Sequence, residues 1–449
     1  MSEYLNITGY SIVYLLFVVA IFIYTVKNRL DILCVSAVCF IVYSMYCFFG
    51  YGISGFYRPE LSPKLYFLVY AQMCLIMGFI ILVRRNGKQK KILPIQKPGK
   101  EIYEDVSGNK TLTRSFYIYT AIIVLFALVN VLKIGVSGFL SGKENVWEND
   151  NILYIISLYG AYPSFAYGIH TKNKWIWIPS LMVELTIFVA GSRAFTATLI
   201  VILLCELGVA FWKKKQRNIE IFALGAAAIV FLLVYRTIDK AVMQGDMASV
   251  LRTLFSGETW IEALEFNEPR VIIANYDYAL TSGIRLPAGD VLYRIIDFVP
   301  GLTSLIPIDL AYPEYFSDWL FTNLNASAGV GGTIWGESHA MLGVFGVLFF
   351  TIIWLLFVNL GNKHLNHHKP YSSFAIGLAT YLAWYINRLD FNRVGQAFKI
   401  TTFCFLMWAG IYFLLGGELR FGKKLILQRD DFIRKIKKFT NRIIAKNCD

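Results

Sequence analysis

Apolar residues in this chain run in long blocks rather than in the two-residue alternation of half-buried strands. Crossing a hydrocarbon core takes roughly 17 to 25 apolar residues as a helix. Eleven blocks approach or meet that length: Ile7–Val26, Ile32–Ile53, Leu65–Val83, Phe116–Leu132, Ile152–Ile169, Trp175–Ala190, Ala194–Trp212, Ile219–Tyr235, Ser338–Leu360, Ser372–Ile386 and Ile400–Leu415. The pattern predicts an all-α polytopic membrane protein of about 11 transmembrane helices. Helices 1 to 8 fall in residues 1–235 and helices 9 to 11 in 337–416. Between them, residues 236–336 form one large polar segment, and 417–449 form a tail.

The 236–336 segment is acidic on balance and dense in Trp, Tyr and Phe. Helical spacing predicts short helices at Ser249–Glu265, Arg270–Leu280, Val291–Val299 with Asp290 as N-cap, and Pro313–Phe321. Asn323–Gly332 is small and polar and is expected to be a loop. Packed beside a membrane, these helices are expected to form an external lid. In the tail, Phe432, Ile436, Phe439 and Ile443 recur at helical spacing with Lys and Arg between them, which predicts a basic amphipathic helix on an anionic inner leaflet.

Composition agrees with a membrane chain. Apolar residues make up 56%, charged residues 16%, and mean hydropathy is +0.53. Soluble domains carry about 25% charged residues. The net charge of +13 is mostly topogenic. With the N-terminus outside and the C-terminus inside, 29 of the 43 Lys and Arg fall on the cytoplasmic side. No basic stripe interleaved with exposed aromatics points to nucleic acid, and no signal peptide is expected. Six of the seven cysteines lie in apolar blocks and read as core. The halves show no inverted repeat of the transporter kind.

Candidate chemistry collects at the outer rim. Arg193, Arg236, Arg388 and Arg393 lie at the ends of spans, with Arg270, Arg285 and Arg294 in the external segment, and Arg193, Arg236, Arg294, Arg388 and Arg393 are the candidate ligands of a lipid pyrophosphate. Arg193 precedes a helix start, where N–H groups and a guanidinium together suit phosphate. Arg388 and Arg393 flank Asp390 in a tight turn. The plainer alternative for each is pairing with a carboxylate of the external segment. Glu337 and His339 open the ninth span, and Asp318 lies nearby in sequence. These three are the candidate proton acceptors, with Glu337 preferred as a partly desolvated but ionised base. Trp260, Tyr276, Tyr278, Tyr293, Tyr312, Tyr315 and Trp319 offer faces for sugars or an interfacial belt. His364, His367 and His368, and the pair Glu148 and Asp150, read as solvated loop residues rather than metal ligands, so no metal is expected. The absence of a phosphate-binding loop or dinucleotide motif gives no reason to expect a cofactor.

Four features in this order resemble the bacterial O-antigen polymerases (Wzy), or oligosaccharide repeat unit polymerases. They are Gly191-Ser192-Arg193-Ala194, Phe298-Val299-Pro300 in the external segment, Gly331 to Glu337 running into Gly343-Val344-Phe345-Gly346, and Arg388 near Asp390. The resemblance implies a GT-C-like glycosyltransferase at the outer face of the bacterial inner membrane. Its substrates would be undecaprenyl-pyrophosphate-linked glycans on the way to lipopolysaccharide or capsule, with a chain-length regulator and a flippase as partners. Two other readings stay open: an O-antigen ligase-like transferase to a different acceptor, and a polysaccharide flippase or exporter.

Overall fold

The computed structural model describes residues 9–27, 30–49, 61–89, 109–140, 145–146, 148, 152–190, 192–213, 268–298, 302, 313–324, 331–365, 369–417, 419–421 and 425–427. Within them the chain is helical: α1 (Gly9–Lys27), α2 (Ile32–Ser44), α3 (Tyr46–Phe49), α4 (Pro63–Gln89), α5 (Lys110–Leu140), α6 (Ile152–His170), α7 (Lys174–Val189), α8 (Ala194–Lys213), α9 (Glu268–Thr281), α10 (Ala288–Ile296), α11 (Phe316–Leu324), α12 (Ile334–His364), α13 (Ser372–Tyr385) and α14 (Phe391–Leu414). One antiparallel hairpin, Leu419–Phe421 with Leu425–Leu427, departs from the all-α expectation at the start of the tail. The predicted helices at 249–265 and 429–446 lie outside the described residues.

Nine of the apolar blocks predicted to span fall on a helix over their described residues; Ile32–Ile53 is divided between α2 and α3 with its last four residues outside the described ones, and Ile219–Tyr235 lies wholly outside them. Five helices are long and apolar enough to cross a bilayer: the spans 63–85, 110–135, 152–170, 334–364 and 391–414. The chain therefore has the build of a multi-pass membrane protein. The core is strongly aromatic, with Phe116, Tyr119, Phe374 and Trp408 in mutual ring contact between α5, α13 and α14.

Clusters of paired charges lie at the two ends of the bundle, while Glu184, Asn130, Gln72 and Thr351 are buried between them. At one end Asp31 caps α2, accepting from the Cys34 N–H at 3.1 Å, and also accepts from Asn362 and Arg84. That end gathers Arg84 and Lys363 from the expected cytoplasmic loops. The opposite end gathers α9, α10, α11 and the turn between α13 and α14.

Three corrections concern the external segment. First, α9 is sunk into the bundle rather than laid across it. It packs against α2, α4 and α12 and buries ten of its 14 residues. Its polar groups are satisfied there: Tyr276 donates to Gln72 at 3.3 Å, Gln72 to Thr351 at 3.0 Å, and the Ser62 N–H to Asp277 at 3.1 Å. Tyr276, at 2% exposure, is thus a core residue and not a face for sugar. Second, Pro287 rather than Asp290 precedes α10, and Asp290 sits in its first turn. Third, α11 starts at Phe316, later than expected.

The ninth span is not one straight helix. Gly343 has φ 67° and ψ −152°, a conformation that needs glycine, and it breaks α12 into 334–342 and 344–364. The carbonyls just before the break lose their helical partners. Arg285 Nη1 donates to the His339 carbonyl at 2.8 Å and the Leu286 N–H to that of Ala340 at 3.0 Å, so the 284–287 linker supplies the missing donors.

Candidate functional site

The turn after α13 is built by local chemistry. A 3₁₀ turn at Ile386–Arg388 ends α13, and Asp390 then caps α14 by accepting from the Arg393 N–H at 3.0 Å. Gly332 seats against this turn. A Cβ there would stand 3.3 Å from the Asp390 nitrogen and 3.4 Å from the Arg388 carbonyl, so a larger residue would push the turn away. A Cβ at Gly331 would stand 2.8 Å from Ile272 Cδ1 of α9 and only in ordinary contact with Arg388 Nε at 3.6 Å. Gly332 is therefore what lets the Arg388–Asp390 turn approach the head of α12, and Gly331 is what lets α9 do so.

Three of the sequence-selected arginines converge here. Arg193 ends the turn before α8, its carbonyl accepting from Ala197 at 2.9 Å. The charges of Arg193 and Arg388 both act on the Tyr43 hydroxyl, and those of Arg193 and Arg393 on the Tyr385 hydroxyl. The Arg388 guanidinium lies over the Tyr385 ring at 5.6 Å and that of Arg393 over Tyr315 at 5.6 Å. Their side chains are 32% and 48% exposed. Each also has a carboxylate neighbour: Glu268 at the start of α9 pairs with Arg388, and Asp390 lies 3.8 Å from Arg393. Each side chain thus keeps some open surface beside its carboxylate partner.

Asp318 stands on the first turn of α11, exposed, next to Ser317. The Ser317 hydroxyl bridges inward to Asp390 Oδ2 at 3.2 Å. Burial pushes the Asp390 carboxyl above the ordinary aspartate range. Arg393, its backbone N–H and the Ser317 hydroxyl pull it back, and the nearby Asp318 charge adds to the rise. Asp390 is thus the enclosed member of an acid pair and Asp318 the accessible one.

The other two proton-acceptor candidates are enclosed. Glu337 is wholly buried. Arg294 Nε donates to Oε1 at 2.5 Å, and the Phe391 N–H to Oε2 at 2.6 Å. Both oxygens are committed and neither meets solvent, which corrects the expectation that Glu337 stands where an acceptor approaches. Arg294, expected to bind pyrophosphate, is 2% exposed and donates also to the Glu314 carbonyl at 2.8 Å. The pair instead fastens α10 and the 313–315 stretch to the heads of α12 and α14. His339 is 2% exposed, hydrogen-bonded to the Ala279 backbone, with Lys64 and Arg285 as its charged neighbours. Its Nδ1 has no hydrogen-bond partner among the described residues. Glu337, His339 and Asp318 therefore do not form one hydrogen-bonded set.

Arg270 is buried in α9, and Arg285 serves the break in α12. Arg236, Trp260 and Tyr312 lie outside the described residues. Tyr315 and Trp319 are half-buried beside the arginine turn, Trp319 stacked on Phe316 at 5.9 Å. Tyr278 and Tyr293 are also half-buried. Sequence reasoning missed Glu268, Ser317, Tyr43 and Tyr385. Only Glu268 carried a local signal, an acid directly before Pro269 at a helix start. Among the described residues no group of three or more His, Cys, Asp or Glu is placed to hold a metal ion. No protein-family model, curated protein or solved structure matches this chain.

Proposed function

We propose that this protein is a membrane glycosyltransferase that polymerises oligosaccharide repeat units carried on a polyprenyl pyrophosphate. Its fold is GT-C-like with about eleven spans. It works at the outer face of a bacterial cytoplasmic membrane, with its N-terminus outside and its C-terminus inside. The observation that carries the reading is the grouping of half-open Arg193, Arg388 and Arg393 beside the exposed carboxylate of Asp318, at one end of a membrane-spanning bundle.

The chemistry runs as follows. A hydroxyl of one lipid-linked unit attacks the anomeric carbon of the growing chain. The new C–O bond forms as the bond to pyrophosphate breaks, and the hydroxyl proton passes to Asp318. The sugar phosphate is already activated, so the protein supplies position and charge. Guanidinium groups hold the departing pyrophosphate by bidentate hydrogen bonds. Tyr315 and Trp319 offer faces to the sugars. Glu337 serves by holding Arg294 and α10 in place.

The test is incubation of the purified protein, in lipid nanodiscs, with lipid-linked repeat units. A product ladder that disappears with Asp318→Asn is expected. A single transfer to a foreign acceptor, with no ladder, would move the chain to the ligase reading. Movement of substrate across a vesicle membrane without bond formation would move it to the exporter reading. Single cysteines at 318 and 369, in intact cells, check the orientation: an impermeant maleimide should reach 318 and not 369.

A further inference from the structure

Helix α10 has its polarity reversed relative to a surface helix. Ala288, Leu292 and Ile295, at spacings of four and three, form its exposed face, with Leu292 at 45% and Ile295 at 48% exposure. Asp290, in the first turn, is partly exposed and reaches back to Arg294 at 3.8 Å, and the charges nearer the other end point inward. Arg294 is 2% exposed against Glu337, and Asp297, just past the helix end, is 4% exposed. A helix over water shows the opposite arrangement.

Its depth is set by its partners on α14. Both Asp297 oxygens accept from Lys399 Nζ at 2.8 Å, and a Cβ at Gly395 would stand 3.4 Å from Asp297 Oδ2. The Phe298 ring meets those of Phe391 at 5.8 Å and Phe398 at 5.7 Å. Lys399 lies eight residues into α14, about 12 Å along its axis from the outer end. The end of α10 therefore lies beside the interior of a helix apolar enough to span. Nearby α12 meets α14 through Phe350 and Phe391, 4.5 Å apart, and shows Phe345 and Phe349 outward at 67% and 42% exposure. The apolar face of α10 continues a surface of that kind.

We infer that α10 is inserted in the bilayer leaflet at the arginine end, with its charged side latched to the bundle and Leu292 and Ile295 against lipid acyl chains. An ion pair so placed faces protein on one side and hydrocarbon on the other. This explains why each of these charges has an opposite partner, Arg294 with Glu337 and Asp290, and Asp297 with Lys399: an unmatched charge there is costly. The inference rests on α14 crossing the bilayer and not on the reaction proposed above.

Nitroxide labels on single cysteines test it in the full chain, reconstituted in phosphatidylcholine–phosphatidylglycerol vesicles after replacement of the native cysteines. Leu292→Cys and Ile295→Cys are compared with Phe345→Cys as the lipid-facing reference and Glu314→Cys as the aqueous one. Oxygen partitions into hydrocarbon and a nickel chelate is excluded from it. The oxygen-to-nickel collision ratio at 292 and 295 should match that at 345 and clearly exceed that at 314. A nickel-dominated ratio at both positions would put α10 in water. Low collision with both probes would mean that a second copy or another part of this chain covers the face. Either result overturns the inference, whether or not the protein polymerises glycans.

Discussion

Two arginine sites lie at the same end of this bundle and use the same side chain in opposite ways. Arg294 is sealed, with a carboxylate, a carbonyl and a buried helix head around it. Arg388 and Arg393 also have carboxylate neighbours, yet a third to a half of each side chain is open. The presence of an acid partner therefore does not separate a sealed arginine from one open to a ligand. What separates them is whether the partner leaves the fork accessible. A sealed pair contributes order, and its loss is felt as unfolding. An open pair can exchange its partner for a phosphate at small cost, since exposed ion pairs are worth little.

Arg294→Ala should have the largest effect. It leaves the Glu337 charge buried without its counterion, at a cost of about 3 to 5 kcal/mol. We expect a large fall in the thermal unfolding midpoint in detergent. An unchanged midpoint would make the sealed site dispensable. Replacing both Arg294 and Glu337 by leucine should restore much of the midpoint.

Asp318→Asn comes next. It should lower ladder formation by roughly 10²- to 10⁴-fold, the range of general base catalysis, while the midpoint stays put. Arg388→Lys and Arg393→Lys retain charge and lose the fork. Each should reduce product by roughly 10²-fold, again at unchanged midpoint. Should either lower the midpoint as far as Arg294→Ala does, the open site would be structural after all.

Two smaller effects refine the picture. Gly343→Ala forces a side chain into the conformation at φ 67° and should cost about 1 kcal/mol or more, read as a lower midpoint. Asp390→Asn keeps a residue able to cap α14 and removes a buried charge. Because the Asp390 carboxyl is raised in the folded protein, its contribution to stability grows as pH falls from the folded value toward the ordinary one near 3.9. The asparagine variant should lose that part of the pH dependence, visible in midpoints measured across the acid range.

Much of the helical layout was legible because each long apolar block is its own signal. Exposure was not legible. Glu337 and Asp318 are both acids in the first turn of a helix, and no local pattern distinguishes the sealed one from the open one. That difference comes from Arg294 and the Phe391 N–H, which lie 43 and 54 residues away in sequence. The sinking of α9 was hidden for the same reason: its Tyr276 is satisfied by Gln72, which belongs to another span. The reversed polarity of α10 was closer to the surface of the sequence. Arg294 and Asp297 share one helical face and Leu292 and Ile295 another. Sequence alone does not say which of those faces meets the protein.

The break at Gly343 also bears on the order in which the chain can be completed. Residues 285 and 286 leave the ribosome before 339 and 340, so the donors for the interrupted carbonyls are made before the carbonyls themselves. The later segment can then close against a partner already present. A chain from which residues 284–287 are removed has no such helper. Its two carbonyls would need water or a rearranged turn, each missing bond costing about 1 to 3 kcal/mol where it is buried. The 284–287 linker thus acts during assembly as a clasp, and cutting it should matter most while the protein is being built.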